Sequence, residues 1–213
     1  MQLLHPTNPF LGFPAADYEL DLQGWDSQSP MFEWIISRYR PARIIEVGSW
    51  KGASAIHMAA LVRARGIVAE ILRVDTWLGG VHTWTERYGA NFIPMRYGRP
   101  LVYEQFLANV IHSGHTGTIV PFPVDSVTGA MFATRMQLQA DAIYLDAGHD
   151  YEHVWSDITG WWPIVRPGGV MFGDDYHPHW HGLISAVNKF ADANKVMVRK
   201  TFEHKWVIEK PAQ

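Results

Sequence analysis

The fold of this 213-residue chain is decided by the stretch ARIIEVGSWKG, residues 42–52. It begins as a short apolar run rich in β-branched residues, which is typical of a strand, and it ends in a loop between two glycines. Residues 53–62 then form an apolar segment with helical spacing, closed by Gly66, and residues 67–77 repeat the strand pattern. This order predicts a βαβ unit that binds a ligand at the carboxyl edge of a parallel sheet.

The rest of the chain continues the alternation of strands and helices. A helix is predicted after Ser29, a favourable N-cap residue, with Pro30 at its first position. Further helices are expected at 102–110, 128–138, 150–162 and 183–193, and further strands at 118–124, 142–145, 170–172, 196–198 and 206–208. Such an alternation predicts an α/β fold with a doubly wound, mostly parallel sheet, closed by a C-terminal β-hairpin.

Two segments depart from this pattern. Residues 1–28 contain three prolines and no sustained periodicity, which predicts an N-terminal arm before a single domain at residues 29–213. The arm could be a lid, a tail or a strap through which a homo-oligomer forms. Residues from about 78 to 100 are predicted to be a lid insertion, because long aperiodic loops in compact domains are usually functional or disordered.

Composition limits the class of function. The formal net charge of -3 and the pI near 6.4, without any long Lys/Arg cluster, argue against binding to nucleic acid or acidic membranes. A small-molecule partner is therefore expected. With no cysteine, the chain has neither a disulfide nor a thiolate metal site. The sequence shows no signal-peptide pattern and no long apolar run, so a cytoplasmic protein is the expectation.

The glycine loop has the pattern E-x-G-x-x-x-G, from Glu46 to Gly52. It is not a Walker A loop, since no Lys-Ser/Thr pair follows, and Trp50 replaces the second glycine of a dinucleotide-binding loop. NAD and FAD are therefore disfavoured. Asp75, at the end of the next strand, is placed to accept hydrogen bonds from a ribose diol. The simpler alternative is that the glycines only make a turn and that Asp75 is a surface acid.

A second group of polar residues follows two later strands. Asp146 ends one strand, Asp174 and Asp175 end the next, and His149 lies three residues after Asp146. Unpaired charge is costly to bury, and carboxylate oxygens suit Mg²⁺, Mn²⁺ or Ca²⁺, so these acids predict a divalent-metal site. His149 is the candidate general base. The alternative is that the aspartates cap a turn and the histidine is structural.

These motifs resemble those of class I S-adenosylmethionine-dependent methyltransferases. The resemblance runs from about residue 44 to 209 and includes the E-x-G-x-x-x-G loop, the acid ending the second strand, Asp-Ser after the third and P-G-G before the fifth. It implies a Rossmann-like methyltransferase fold and S-adenosylmethionine as cofactor. The cofactor contacts that it implies fall on Glu46, Gly48, Ser49, Trp50, Gly52, Ser54, Asp75, Thr76, Trp77, Asp125, Ser126 and Asp146.

The second group is similar to the site of metal-dependent O-methyltransferases. Both the catechol type and the sugar O-methyltransferases of macrolide and aminocoumarin biosynthesis, with the related cephalosporin hydroxylase-like proteins, carry this layout. The resemblance implies that Asp146, Asp174 and Asp175 hold Mg²⁺. Several members have another acid where this chain has Ala147-Gly148, which leaves His149 as the base. The implied reaction is methylation of a hydroxyl on a sugar or a catechol-like diol.

Other readings remain open at this stage. A metal-dependent hydrolase or oxygenase could use the same carboxylates together with the histidines of the loop His177-Pro178-His179-Trp180-His181. A partner protein that binds the cofactor without catalysis of its own, as the cephalosporin hydroxylase resemblance allows, is the third. The sequence does not name the methyl acceptor, because fold does not imply substrate.

Overall fold

A computed structural model of the protein describes residues 4–85, 93–202 and 204–212. The strands are Arg43–Val47 (β1), Glu70–Val74 (β2), Met95–Arg96 (β3), Arg99–Pro100 (β4), Ile119–Phe122 (β5), Ala140–Leu145 (β6), Val165–Gly173 (β7), Val198–Thr201 (β8) and Lys205–Glu209 (β9). The α-helices are Pro30–Tyr39 (α1), Ala53–Ala64 (α2), Val81–Thr85 (α3), Val102–His112 (α4), Ser126–Arg135 (α5), Tyr151–Trp161 (α6) and His181–Asn194 (α7).

Seven strands form the main sheet, in the order β5-β2-β1-β6-β7-β9-β8. The first five are parallel, whereas β9 is antiparallel to β7 and β8 is antiparallel to β9. Val47 is paired with Val74 on one side and with Leu145 on the other, and Leu145 is paired with Gly173. The residues that follow these strands therefore meet at one edge. The predicted fold class and the closing hairpin are confirmed.

Helices cover both faces of the sheet. The central strands are mostly apolar because neighbouring residues, such as Ile44 and Ile45, point into opposite cores. One core packs against α1, α2 and α4, and the other packs against α5, α6 and α7. Because helices cover both faces, the ends of the strands, rather than the faces of the sheet, are open to a ligand.

The first helix begins as its sequence predicts. The Ser29 side chain accepts a hydrogen bond from the backbone N–H of Met31, Pro30 lies at the first helical position, and Arg40 ends the helix in the left-handed region at φ 42°. Among the described residues, no helix is both long and apolar enough to span a membrane.

Two segments differ in detail from the prediction. The Pro167-Gly168-Gly169 stretch, expected as a turn before a strand, lies within β7, which already begins at Val165. The segment predicted as a lid contains the short helix α3 and the hairpin of β3 with β4, while Tyr88 and Phe92 lie outside the described residues. Val165 pairs with Ala140 through a register shift, which explains the earlier start of the strand.

The N-terminal arm is packed on its own chain. Phe10 is buried in one core, and a 3₁₀ turn at Ala15–Asp17 lies against α4. The His112 ring lies 3.0 Å from the carbonyl oxygen of Ala15 and 2.8 Å from that of Tyr18. These contacts fix the course of the arm towards the glycine loop.

Candidate active site

The glycine loop follows β1 at the carboxyl edge and passes against the end of β6. Gly48 has φ +91°, and a Cβ on it would lie 2.0 Å from the carbonyl oxygen of Asp146. Gly52, at the N-cap of α2, has φ +86°, and its Cβ would meet the Phe106 ring at 2.7 Å. Only glycine fits both positions, so the two glycines of the motif are required by close packing as well as by backbone conformation.

Asp75 lies beside this loop, as predicted, but its carboxylate already has partners in the protein. One oxygen accepts the backbone N–H groups of Ser49 at 2.6 Å and Trp50 at 3.1 Å, and the other accepts that of Trp77 at 2.8 Å. Asp75 therefore shapes the loop in this conformation. Its contact with a ribose stays a prediction.

A buried arginine beneath the loop was not singled out by the sequence reasoning. Arg73 forms an ion pair with the buried Glu46, and it donates hydrogen bonds to Ser49 Oγ at 2.8 Å and to the Gly48 carbonyl at 3.0 Å. Ser54 donates to the same glutamate. Burial lowers the pKa of Arg73 to about 9, so it is still a cation at neutral pH. A charged residue between Leu72 and Val74, in the buried part of strand β2, was the available signal.

The bulk of Trp50 is accommodated on the side of the N-terminal arm. Its indole N–H donates to Gln23 Oε1 at 2.9 Å, and its ring lies 5.9 Å from that of Trp25. Trp77 is buried behind the loop and donates its indole N–H to the Trp50 carbonyl at 2.9 Å. Trp77 is thus a packing residue of the loop in this conformation.

The other predicted cofactor residues have local structural partners. Asp125 is exposed and caps α5 by accepting the Thr128 backbone N–H at 2.9 Å. Ser126 donates to Asp157 and accepts the Trp161 indole N–H at 2.9 Å. Thr76 is exposed next to Asp75. Their contacts with a cofactor remain predictions.

Asp146, His149 and Asp175 come together at the ends of β6 and β7. One ligand atom of each lies within 4.8 Å of the others, and His149 Nε2 is 2.8 Å from Asp175 Oδ2. Burial, together with the charges of Asp174 and Asp175, raises the pKa of Asp146 to about 6. A bound cation would relieve this excess of negative charge. The oxygen-rich donor set therefore fits a divalent ion such as Mg²⁺.

The electrostatics of the histidine follow from its carboxylate partner. Burial opposes the charged imidazole of His149, but the hydrogen bond and the charge of Asp175 outweigh it and raise the pKa of His149 above its ordinary value. Burial acts to raise the pKa of Asp175, yet contacts with His149, Lys205 and Trp180 leave it lowered. The Trp180 ring lies 4.6 Å from the imidazole and restricts its orientation.

Asp174 has a different environment from its neighbour. It is buried and forms an ion pair with Lys205, a residue of β9 that is 1% exposed and that the sequence reasoning did not identify. The Tyr144 hydroxyl lies 3.1 Å from Asp146 Oδ2 and 3.4 Å from Asp174 Oδ2. A metal-ligand role for Asp174 stays a prediction, and the position next to it is taken by an ammonium group.

The histidine-rich loop lies outside the carboxylate group. The His177 ring packs against His204 with centroids 4.4 Å apart, and His179 and His181 are exposed. Within residues 4–85, 93–202 and 204–212, the side chains that converge at metal-binding distances are Asp146, His149 and Asp175, and none of the loop histidines joins them.

The sheet order, the glycine loop and the acid after β2 together define the class I S-adenosylmethionine-dependent methyltransferase fold. The chain belongs to the methyltransferase domain family, whose model matches residues 45–176. A relative from Sinorhizobium fredii, the uncharacterized protein y4gI, is 25% identical over 159 residues, which make up 75% of this chain. This chain spans only 16% of the length of that relative.

Solved structures share the fold. The O-methyltransferase TomG from Streptomyces achromogenes, involved in tomaymycin synthesis and solved with SAM, has a TM-score of 0.61 at 14% identity, covering 91% of this chain and 83% of TomG. An O-methyltransferase from Bacillus cereus in complex with SAH has a TM-score of 0.57 at 13% identity, with 92% and 87% covered. CalS11, a TDP-rhamnose 3'-O-methyltransferase of calicheamicin biosynthesis, has a TM-score of 0.59 at 17% identity. The match covers 84% of this chain and 77% of CalS11. At these identities the likeness shows the fold.

Proposed function

We propose that the protein is an O-methyltransferase that moves a methyl group from S-adenosylmethionine to a hydroxyl of a small molecule, with Mg²⁺ as metal and His149 as general base. One observation carries the proposal: the glycine loop and the carboxylate group meet at the same edge, where Gly48 lies directly against the Asp146 backbone. A methyl donor in the loop and a hydroxyl at the carboxylates would therefore be neighbours.

Family membership supports the cofactor side of the proposal. The methyltransferase domain match begins in β1 and includes the loop, Asp75 and the carboxylate group. TomG was solved with SAM and the Bacillus cereus enzyme with SAH, and both share the fold. By analogy, Gly48, Gly52 and Asp75 would line the cofactor in this chain.

The metal side rests on the charge of the site. Asp146 and Asp175 would hold Mg²⁺, Mn²⁺ or Ca²⁺ through carboxylate oxygens, with Asp174 as the further predicted ligand. When bound, such an ion supplies positive charge that makes an acceptor hydroxyl more acidic. The residues that hold the ion would also position the acceptor beside it, and much of the acceleration would come from that positioning.

His149 is the proposed acceptor of the proton from the substrate hydroxyl. His149 Nε2 faces Asp175 Oδ2 at 2.8 Å, which orients the imidazole with its Nε2–H towards the carboxylate and leaves Nδ1 to accept a proton from the hydroxyl. Protonation of His149 removes the base, so the rate should fall as the pH falls through the pKa of His149 in the loaded enzyme.

The acceptor class is part of the proposal. A sugar or catechol-like diol offers two neighbouring oxygens, and CalS11, which shares the fold, is a sugar-nucleotide O-methyltransferase. The hydrolase or oxygenase hypothesis gains no support from the described part of the chain, where the loop histidines stay outside the carboxylate group. A cytoplasmic location and assembly through the N-terminal arm remain predictions from the sequence.

Titration calorimetry with S-adenosylmethionine tests the cofactor, and methyl transfer to catechols, deoxysugar glycosides and phenolic acids, with and without Mg²⁺, tests the reaction. We expect binding of the cofactor and Mg²⁺-stimulated transfer to a diol. Absence of cofactor binding would contradict the proposal. Binding without transfer to any acceptor in the panel would favour the non-catalytic partner hypothesis.

His149→Ala separates catalysis from binding. Turnover should fall by about 10²-fold or more, as for other lost general bases, while cofactor affinity stays unchanged. The matched control is His153→Ala, since His153 is an exposed histidine whose partner is Asp150, outside the carboxylate group. Equal losses in the two variants would show that His149 is not the base.

A further inference from the structure

The strand β9 brings a lysine to the carboxylate edge. Gly173 of β7 is paired with Trp206 of β9, so the residue after Gly173 meets the residue before Trp206. These residues are Asp174 and Lys205, and the Lys205 ammonium contacts Asp174 Oδ2. Neither side chain is more than 8% exposed. Because β9 runs antiparallel to β7, this contact is built into the sheet.

Both oxygens of Asp174 are engaged within the protein. Oδ2 faces Lys205 and the Tyr144 hydroxyl, and Oδ1 accepts the backbone N–H of Asp175 at 2.8 Å. In contrast, Asp146 and Asp175 place carboxylate oxygens in a group with His149, and Asp174 is not a member of it in the described residues. The two adjacent aspartates that follow β7 thus have different environments.

Lys205 is held as a buried cation. Its ammonium lies 5.8 Å from the Phe32 ring centroid and 5.9 Å from that of Tyr144, distances at which aromatic faces attract a positive charge. A divalent ion sharing Asp174 Oδ2 would be repelled by this ammonium across a short, poorly solvated distance. Removing one partner of a buried pair leaves an uncompensated charge, so the pair resists exchange.

We propose that Lys205 is a built-in cation of the active site that holds Asp174 out of the ligand set, leaving the metal to Asp146 and Asp175. The inference rests on the proposed function for the existence of a metal. It assigns different roles to the two aspartates of the Asp174-Asp175 pair. With the ammonium counted, the three carboxylates keep a formal charge that a single divalent ion balances.

Binding of Mn²⁺ alone, followed by electron paramagnetic resonance or calorimetry, tests this without cofactor or acceptor. Asp174→Asn should lower the Mn²⁺ affinity by about tenfold, because it leaves the Lys205 ammonium uncompensated beside the ion. Asp146→Asn should abolish binding. Lys205→Met should raise the affinity by about tenfold, because it removes a nearby cation and frees a carboxylate.

The double variant Lys205→Met/Asp174→Asn completes the cycle and removes both charges together, so that no buried charge is left unpaired. Its Mn²⁺ affinity should return to that of the wild type. If Asp174 is a ligand that Lys205 merely supports, Lys205→Met should instead weaken binding by about 10- to 100-fold, and the double variant should bind no better than Asp174→Asn. That result overturns the inference, and the double variant decides it even where Lys205→Met does not fold.

The outcomes also separate this inference from the proposed function. Wild-type binding that is lost in the double variant Lys205→Met/Asp174→Asn refutes the inference alone. Binding by Lys205→Met but not by the wild type supports the inference and contradicts Mg²⁺ dependence. Binding by neither refutes both metal assignments, while calorimetry with S-adenosylmethionine still decides whether the protein is a methyltransferase.

Discussion

Two buried cation–carboxylate pairs lie near the carboxyl ends of the strands and have different structural roles. Arg73 with Glu46 lies beneath the glycine loop, and Lys205 with Asp174 lies beneath the carboxylate group. The arginine also binds Ser49 and the Gly48 carbonyl, so that its charge fixes the shape of a backbone loop. The lysine compensates one acid of a cluster in which the pKa of Asp146 is still raised to about 6.

The difference shows that a buried ion pair can have two different roles. A buried ion pair contributes little net stability, but its directional hydrogen bonds can favour one arrangement over others. At the glycine loop, an arginine with a planar, multi-donor group suits the organisation of several acceptors. At the carboxylate group, a single ammonium is a point charge, and it leaves negative charge for a further cation to neutralise.

The contact between the glycine loop and the end of β6 can be broken at Gly48, and this substitution should have the largest effect on stability and activity. Gly48→Ala places a Cβ 2.0 Å from the Asp146 carbonyl oxygen, so one of the two regions has to move. We expect the free energy of unfolding to fall by about 3 kcal/mol or more and methyl transfer to be lost. Chemical denaturation measures the first effect and the transfer assay the second.

Gly66→Ala is the matched control for this substitution. Gly66 also has a positive φ, +61°, but a Cβ there would have no neighbouring atom within 4 Å in the described structure. It should therefore show only the backbone cost, about 1 kcal/mol. A similar cost at both glycines would mean that the loop and the Asp146 backbone do not constrain each other.

The loop region alone is perturbed by Asp75→Asn. The substituted side chain would be one acceptor short, because an amide nitrogen cannot accept from the backbone N–H groups of Ser49, Trp50 or Trp77. Affinity for S-adenosylmethionine should fall by about 10- to 100-fold, the equivalent of one hydrogen bond to a charged group, while Mn²⁺ binding stays unchanged. Calorimetry with each ligand measures the two affinities.

Asp141→Asn controls for a merely structural effect. Asp141 likewise accepts two consecutive backbone N–H groups, those of Ala42 and Arg43 at 2.8 Å each, but at the start of β1 rather than at its end. This variant should lose stability without losing cofactor affinity. Equal losses of affinity in Asp75→Asn and Asp141→Asn would remove Asp75 from the cofactor site.

The smallest effect belongs to Asp157, which lies behind the carboxylate group on α6. Burial raises the pKa of Asp157 from its ordinary value of 3.8 to about 6. The protonated form therefore contributes stability that is fully present below the unfolded pKa and is lost as the pH rises through about 6. Between pH 7 and pH 5 this amounts to about 1 kcal/mol of added stability.

Asp157→Asn should reduce that gain on acidification, measured by urea unfolding at the two pH values. The introduced amide keeps an oxygen for the Ser126 hydroxyl, so the packing of α5 against α6 is preserved. Part of the pH dependence should remain, because the pKa of Asp146 is raised as well. An unchanged pH dependence would show that Asp157 is not the acid responsible.

Local patterns were sufficient for most of the fold and for part of the site. The glycine loop, the capped start of α1 and the apolar parallel strands follow from steric and hydrophobic rules that act over a few residues. The aspartates at strand ends were found for the same reason, since parallel strands bring their carboxyl ends to one edge. The grouping of Asp146 with His149 and Asp175 follows from that topology.

Other contacts could not be read from local pattern. Trp50 was identified in the loop, but its partner Gln23 belongs to an arm without periodicity. Lys205 lies 31 residues beyond Asp174, on an antiparallel strand whose register no local rule gives. Arg73 offered a signal, a charge in the buried part of a strand, although its acceptors became clear only from the folded loop.

The sequence by itself determined the order of strands and helices along the chain and the position of the glycine loop, because these depend on short-range spacing. It also determined which acids lie at the carboxyl ends of the strands, because parallel strands end at the same side of a sheet. Tertiary structure alone decided which acid has which partner. Asp174 is paired with Lys205 and Asp175 with His149, although the two aspartates are adjacent in the chain. Neighbouring residues at a strand end point in different directions, so the elements packed around them assign their partners.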